Sequence, residues 1–498
     1  MKQSLIERFE NLKSNHKNFV CLDNKEKILI SCPHAVEQTR NGEIKYSEPE
    51  TAFLALYLYD LGFPCFIKTS NENDDANRDL NCKYKDEMVK YCKENNIQLV
   101  IDLHQLRRDR EMHICLGTGN EKNKNLCNKS HILQQFLDIF QKDDYIVTIN
   151  NPFSASKNTT VSGYISSFNI PSIQMEINSG IVDKNFDFNK FANTLEMLLN
   201  KLKIILNKKF VLLVTNASLN TEKFKIQNDL LFKTARTLNI ELVIKNNTEL
   251  MFSLFDNSNN FSYYDAVLFY DKDVNLCKKL ENLKYKVFNS SQTIKNCDNK
   301  VLTYQVLEEN NIPIPKTFVI PLIFYYKKDL LSYWVNNLLK ELKFPFIAKK
   351  WYGSEGQQVY LIDNENTLWN LIEQEKGSEL LFQHYYEECK GKDIRINIVN
   401  NKIVASMKRL SLNGDFRSNL SNGGHAEIYI PTKEESDLAL KASKALNCDF
   451  CGVDILQTND GPVICEVNSN AHLNNIYNVT NINVSEHILK YIKSKIEG

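Results

Sequence analysis

Gly452-Val453-Asp454-Ile455-Leu456 and Pro462-Val463-Ile464-Cys465-Glu466-Val467-Asn468 are two short alternating runs joined across Asn459-Asp460-Gly461, and this spacing predicts a β-hairpin. With a period of two, Glu466 and Asn468 share a face, and Asp454 lies opposite them on the neighbouring strand. Three hard oxygen donors on one sheet face suit a magnesium (or manganese) ion held against phosphates. An acidic hairpin is also a common solvated surface, so the reading depends on the rest of the chain.

Upstream, Phe346-Ile347-Ala348-Lys349 predicts a strand ending in a cation, followed by the small-residue loop Gly353-Ser354-Glu355-Gly356. Such a loop lets backbone N–H groups approach phosphate oxygens. Leu381-Phe382-Gln383-His384-Tyr385 predicts a strand leading to a segment that can edge a base, with Asp393 following as an acceptor for ribose hydroxyls. Arg409, Arg417 and Asn419 are donors suited to phosphoryl oxygens.

In order, NSSQTIKNCDNKVLTYQVLEENNIPIPKT, PFIAKKWYGSEGQQV, LLFQHYYEECKGKDIRINIV, FRSNLSNGGHAE and FCGVDIL followed by GPVICEVNSNAHL resemble the ATP-grasp ligases, and among them the RimK-like branch. The resemblance implies that Lys300 and Lys349 contact ATP, Gln383, His384 and Tyr385 form an adenine hinge, and Asp393 holds ribose. It places Arg409 and Asn419 near the phosphates, Arg417 with the substrate, and Asp454, Glu466 and Asn468 on magnesium. The implied reaction activates a carboxylate as an acyl phosphate that an amine captures. The chain departs from the pattern at Gln358, at His384 and at Asn470-Ala471-His472, where Ser-Pro-Gly is usual.

A second constellation lies near the start. The runs KILISC and IQLVIDL predict strands that deliver His34 and His104, and PSIQMEI predicts one that delivers Glu176. In open α/β sheets ligands bind beyond the carboxyl ends of strands, so these side chains can converge. His34 and Glu37, three apart on an expected helical turn, with His104 as third ligand, suit zinc with an open position. A solvated helix pair is the plainer reading of H-x-x-E alone. Arg78, in Asp75-Ala76-Asn77-Arg78-Asp79, can clamp a substrate carboxylate or sit in a surface ion pair. Glu176 reads as a structural ion-pair partner or a general base.

The motifs SCPHAVE, DDANRDLN, IDLHQ and IPSIQMEIN resemble the N-formylglutamate amidohydrolase family, akin to zinc carboxypeptidases. The resemblance implies zinc on His34, Glu37 and His104, Asn77 and Arg78 on the substrate carboxylate, and Glu176 as catalytic base and acid. Gln105 stands where these enzymes commonly carry glycine.

The whole chain of 498 residues therefore reads as an α/β multidomain protein: an amidohydrolase-like sheet over 1–205, a small parallel α/β domain over 206–296, and an α+β ATP-grasp ligase over 297–498. Lys plus Arg balance Asp plus Glu at 61 each, which excludes a global field for nucleic acid or an acidic membrane. Thirteen scattered cysteines behind a charged start imply a reduced, cytoplasmic setting without disulfides. The expected partners are small amino-acid or peptide substrates, and the sequence fixes no oligomeric state. The function expected is bifunctional, with the first segment as a non-catalytic substrate-binding module as the alternative.

Overall fold

The computed structural model describes residues 1–498 apart from 16, 121, 122, 128, 255–263, 354, 355, 357, 377, 378, 413, 419–423 and 498, with the backbone alone at 185 and 186. The chain divides into two compact units, the first ending at Lys208 and the second starting at Lys209. The break falls three residues beyond the expected 205, at the polar end of the long helix Asn185–Leu206.

The first unit holds β1 (Phe19–Leu22), β2 (Ile28–Cys32), a small hairpin of β3 (Gln38–Arg40) and β4 (Glu43–Lys45), β5 (Cys65–Lys68), β6 (Leu99–Leu106), β7 (Ile114–Gly117), β8 (Val147–Ile149) and β9 (Ser172–Asn178). Seven of them form one sheet in the order β1-β5-β2-β6-β9-β7-β8, with β5, β2, β6 and β9 mutually parallel. Every residue of β2 is buried because both sheet faces are covered. Alternation sends Ile28 and Ile30 to a core shared with helices Lys2–Lys13, Pro49–Asp60 and Asn185–Leu206, and Leu29 to a second core with helix Lys83–Glu94. β6 runs on to Leu106, so His104 lies inside the strand and not at its end as expected.

The second unit begins with β10 (Lys209–Thr215), β11 (Ile240–Asn246), β12 (Ala266–Phe269) and β13 (Val287–Phe288), a parallel sheet ordered β11-β10-β12-β13. An antiparallel sheet follows, β14 (Thr317–Val319), β15 (Phe346–Lys350), β16 (Val359–Ile362) and β17 (Leu380–His384), ordered β14-β17-β15-β16. The last comprises β18 (Lys392–Val399), β19 (Lys402–Leu410), β20 (His425–Ile428), β21 (Phe450–Thr458) and β22 (Gly461–Asn468), ordered β20-β19-β18-β21-β22. Val211, Leu213 and Leu268 of the parallel sheet share one core with Met407, Phe450, Ile476 and Ile488, so 206–296 and 297–498 pack as one unit. No disulfide joins the cysteines. Among the described residues no helix is long and apolar enough to cross a membrane.

Candidate active sites

In the second unit the hairpin β21–β22 sets Asp454 opposite Glu466 and Gly452 opposite Asn468. Asn468 Nδ2 donates to Asp454 Oδ2 at 3.4 Å, so the three expected metal donors lie together. Lys300 opens the helix Lys300–Glu309, whose start is capped by the Asn299 side chain accepting from Val301 and Leu302 N–H. Its Nζ lies 3.4 Å from Glu466 Oε1 and donates to the Gly353 carbonyl at 3.0 Å. Gly353 holds φ at +155°, a backbone conformation that favours glycine. Burial opposes ionisation of Glu466, but Lys300, Lys349 and Arg395 outweigh it and hold its pKa below the usual carboxylate value.

Lys349 is buried on β15, while its neighbour Lys350 points the other way to Glu375 at 2.5 Å, as strand alternation requires. Lys349 Nζ donates to Tyr304 Oη at 3.4 Å and lies 3.8 Å from Cys465 Sγ. Tyr304 Oη in turn donates to the Cys465 carbonyl at 2.6 Å. Tyr304 and Cys465 therefore seat the lysine. Gln383 is buried and donates to Thr317 Oγ1 at 2.8 Å, which commits its side chain to strand β14. His384 is exposed, with its ring 4.7 Å from that of Tyr386, and Tyr385 is half-buried.

Register builds an alternating charge network around Asp454. Asp393 faces Arg409 across β18–β19, and Arg395 faces Asp454 across β18–β21. Arg409 donates through Nε to Asp393 Oδ1 at 2.6 Å and through its terminal nitrogen to Oδ2, and also reaches Asp454 Oδ2 at 3.0 Å. Arg395 holds both Asp454 oxygens at 2.7 and 2.6 Å. Asp393, expected on ribose, thus has both oxygens taken by Arg409. Arg395 escaped the sequence reading, although its spacing of two from Asp393 puts both on one face of β18. Arg417 pairs with Asp415 at 2.8 Å and donates to the Gly356 carbonyl at 2.8 Å, tying its loop to the glycine-rich one. Asn419 lies outside the described residues, as do Ser354 and Glu355. Four cations, Lys300, Lys349, Arg395 and Arg409, thus surround three carboxylates, Asp393, Asp454 and Glu466. Asp454 shares both oxygens with Arg395 and Glu466 is met by Lys300, and this excess of positive charge fits a polyphosphate accompanied by magnesium.

In the first unit His34, Glu48 and His104 bring one donor atom each within 4.8 Å of one another. Glu37, expected as the carboxylate ligand, is exposed on the turn after β2 and outside this group. The residues after His34 form a turn leading into β3 and not a helix, so a spacing of three does not bring Glu37 back beside it. The β3–β4 hairpin instead returns the chain to Glu48, whose N–H donates to the His34 carbonyl at 2.8 Å. Glu48 precedes Pro49 at the start of a buried helix, so its only sequence signal is that of a helix start.

The histidines show a specific arrangement. His34 Nε2 lies 3.0 Å from Asp75 Oδ1, and His104 Nε2 lies 2.9 Å from Asp102 Oδ2. Carboxylates only accept, so each Nε2 carries a proton and each ring turns its Nδ1 inward. The two Nδ1 atoms are 3.1 Å apart, with Glu48 oxygens 3.2 Å from His34 Nδ1 and 3.5 Å from His104 Nδ1. Two ring nitrogens and a carboxylate so placed are satisfied by a positive charge between them, a shared proton or a metal ion. Burial opposes charge on His34, but Glu48 and Asp75 raise its pKa, and Asp102 and Glu48 raise that of His104 further. Burial likewise opposes Glu48 ionisation, but His34 and His104 bring its pKa down to about 2. Imidazole and carboxylate donors with carboxylates behind the rings fit zinc.

Glu176 pairs in register with His104, is buried, and accepts from Gln174 Nε2 at 2.7 Å. Burial pushes its pKa up to about 7 against the opposing pull of His104. Asp75 also accepts from Arg40 Nε at 2.7 Å and from the Asn77 N–H at 2.9 Å. Asn77 Oδ1 accepts from Val161 N–H at 2.8 Å, and Arg78 is exposed on the same turn. Asp75 and Arg40 were not singled out as partners of the histidines; distant contacts, not local spacing, put them there.

Residues 297–492 match the RimK-like ATP-grasp domain family. A probable alpha-L-glutamate ligase from Saccharophagus degradans is 34% identical over 242 residues, 47% of this chain and 77% of the relative. One from Maridesulfovibrio salexigens is 35% identical over 222 residues, covering 44% and 71%. The crystal structure of a RimK domain ATP-grasp protein from Sphaerobacter thermophilus is similar to 56% of this chain and 98% of its own, with 18% identity and a TM-score of 0.46. The chain belongs to the RimK-like ATP-grasp family. Its second unit is an ATP-grasp carboxylate-amine ligase.

Proposed function

We propose that the second unit uses ATP to join a carboxylate to the α-amine of L-glutamate, forming ADP. The observation that carries this is the convergence of Asp454, Glu466 and Asn468 with Lys300, Lys349 and Arg409. Magnesium held by the first three neutralises phosphate charge. The acid oxygen attacks the γ-phosphorus, ADP leaves, and the amine then displaces phosphate from the acyl carbon. Lys300, Lys349 and Arg409 offset the charge that builds on the transferring group, so the protein supplies position and field and no covalent nucleophile. The test is amide formation from N-acetyl-L-glutamate, L-glutamate and ATP; AMP as the nucleotide product would refute the acyl-phosphate route.

A second activity is favoured by the facing Nδ1 atoms of His34 and His104. The first unit is read as a metal-dependent amidohydrolase acting on N-acyl amino acids or glutamyl peptides. Zinc on His34, Glu48 and His104 supplies Lewis acidity. Glu176 accepts and returns the proton of amide cleavage, Gln174 fixes its carboxyl, and Arg78 meets a substrate carboxylate. Glu176→Gln is expected to retain about one zinc per chain and to lose hydrolysis of N-formyl-L-glutamate and glutamyl peptides by about 10²- to 10⁴-fold. Elemental analysis beside the rate checks this, and an unchanged rate would remove Glu176 from the reaction.

A further inference from the structure

The carboxyl ends of the parallel sheet carry a polar group that the ligase chemistry above does not use. β10 and β12 are neighbours, and Asn216 follows the first while Asp271 lies two residues beyond the second. Asp271 is 3% exposed. Its Oδ1 accepts from Asn216 Nδ2 at 2.9 Å and from the Lys272 N–H at 2.6 Å. Its Oδ2 is buried with no hydrogen-bond partner among the described residues. The segment after β22 reaches the same place: Asn470 Nδ2 donates to the Asp271 carbonyl at 2.8 Å, and Asn470 Oδ1 is likewise buried and unpartnered. Lys272, the adjacent cation, sends its Nζ to Asp298 and does not satisfy Asp271.

A buried carboxylate oxygen without a donor is costly. Both orphan atoms are acceptors and one is anionic, so the group that completes them is a cationic donor. A carboxylate or a phosphate would be repelled there. A primary ammonium offers three N–H donors on one centre, which matches acceptors of this kind. The position also suits a reacting amine: Asn470 is two residues past Asn468, at most about 7 Å of chain from a magnesium donor. Carboxyl ends of parallel strands are where such sheets bind ligands.

We propose that Asp271 and Asn470, with Asn216 holding Asp271, bind the ammonium of the amine substrate, which passes one proton to Asp271 Oδ2 before its lone pair attacks the acyl carbon. This inference rests on the ligase reading and adds the group that selects the second substrate. Hydroxylamine, which is neutral near pH 7.5, gives the test its contrast, because it captures an activated acid without needing an ammonium site. The full chain is supplied with ATP, magnesium and N-acetyl-L-glutamate, which cannot act as an amine, together with either L-glutamate or hydroxylamine.

For Asp271→Asn the KM for L-glutamate is expected to rise on the order of 10- to 100-fold, while hydroxamate formation and the KM for ATP shift less than about threefold. Asp271→Glu is expected to recover part of the loss. An unchanged KM for L-glutamate beside normal hydroxamate formation would overturn the assignment. Should Asp271→Asn lose both products, Asn470→Ser decides: a selective rise in the L-glutamate KM upholds the site, and an unchanged KM overturns it. Wild-type protein that makes no hydroxamate would instead refute the ligase reading with this acid.

Discussion

Glu466→Gln is expected to lower ATP-dependent amide formation by about 10³-fold while the protein stays folded. Glu466 is half-buried on β22, and among side chains it is approached by Lys300 at 3.4 Å, so little packing depends on its charge. That charge is needed when magnesium and phosphate enter, because an amide at this position is a weaker donor to a divalent ion. The effect should fall on kcat, with thermal unfolding moving only a few degrees. A variant with near-normal turnover would show that the metal is held elsewhere.

The second large effect separates two glutamates only eleven residues apart. Glu48→Gln should lower zinc affinity at least about 100-fold and leave the purified protein nearly free of metal, whereas Glu37→Gln should keep about one zinc per chain. Glu48 lies between the two histidines, and Glu37 is exposed outside the group. Elemental analysis of the two proteins reads the difference directly. Retention of zinc by Glu48→Gln together with its loss from Glu37→Gln would reverse the ligand assignment. Loss from neither would remove both carboxylates from the site.

This contrast also shows how far the sequence could be read. The β21–β22 hairpin was legible nearly to its ends, because alternation and an Asn-Asp-Gly turn are local signals that the tertiary structure leaves intact. His34, His104 and Glu176 were legible because each follows from an apolar strand pattern. Glu37 misled because a spacing of three has meaning only on a helix, and the turn there leads into β3. Glu48 is brought back by a hairpin whose return nothing local announces.

The arginine network was hidden for a different reason. Asp393 and Arg409, and Arg395 and Asp454, meet through strand register, and register between strands 16 and 59 positions apart is set by the packed sheet. Likewise, the parallel sheet was read as a domain of its own because its βα alternation is complete in sequence. Its apolar face is closed by residues from Val399 to Ile492, which only the folded chain brings there.

The central claim is that the second unit activates a carboxylate as an acyl phosphate. Its most direct test follows oxygen: N-acetyl-L-glutamate carrying ¹⁸O in its carboxyl groups is incubated with the protein, ATP, magnesium and L-glutamate, and the released phosphate is weighed by mass spectrometry. The account predicts one ¹⁸O in each phosphate released with the amide, ADP as the nucleotide, and no transfer in Glu466→Gln. Unlabelled phosphate accompanying amide formation, or AMP with pyrophosphate, would contradict it.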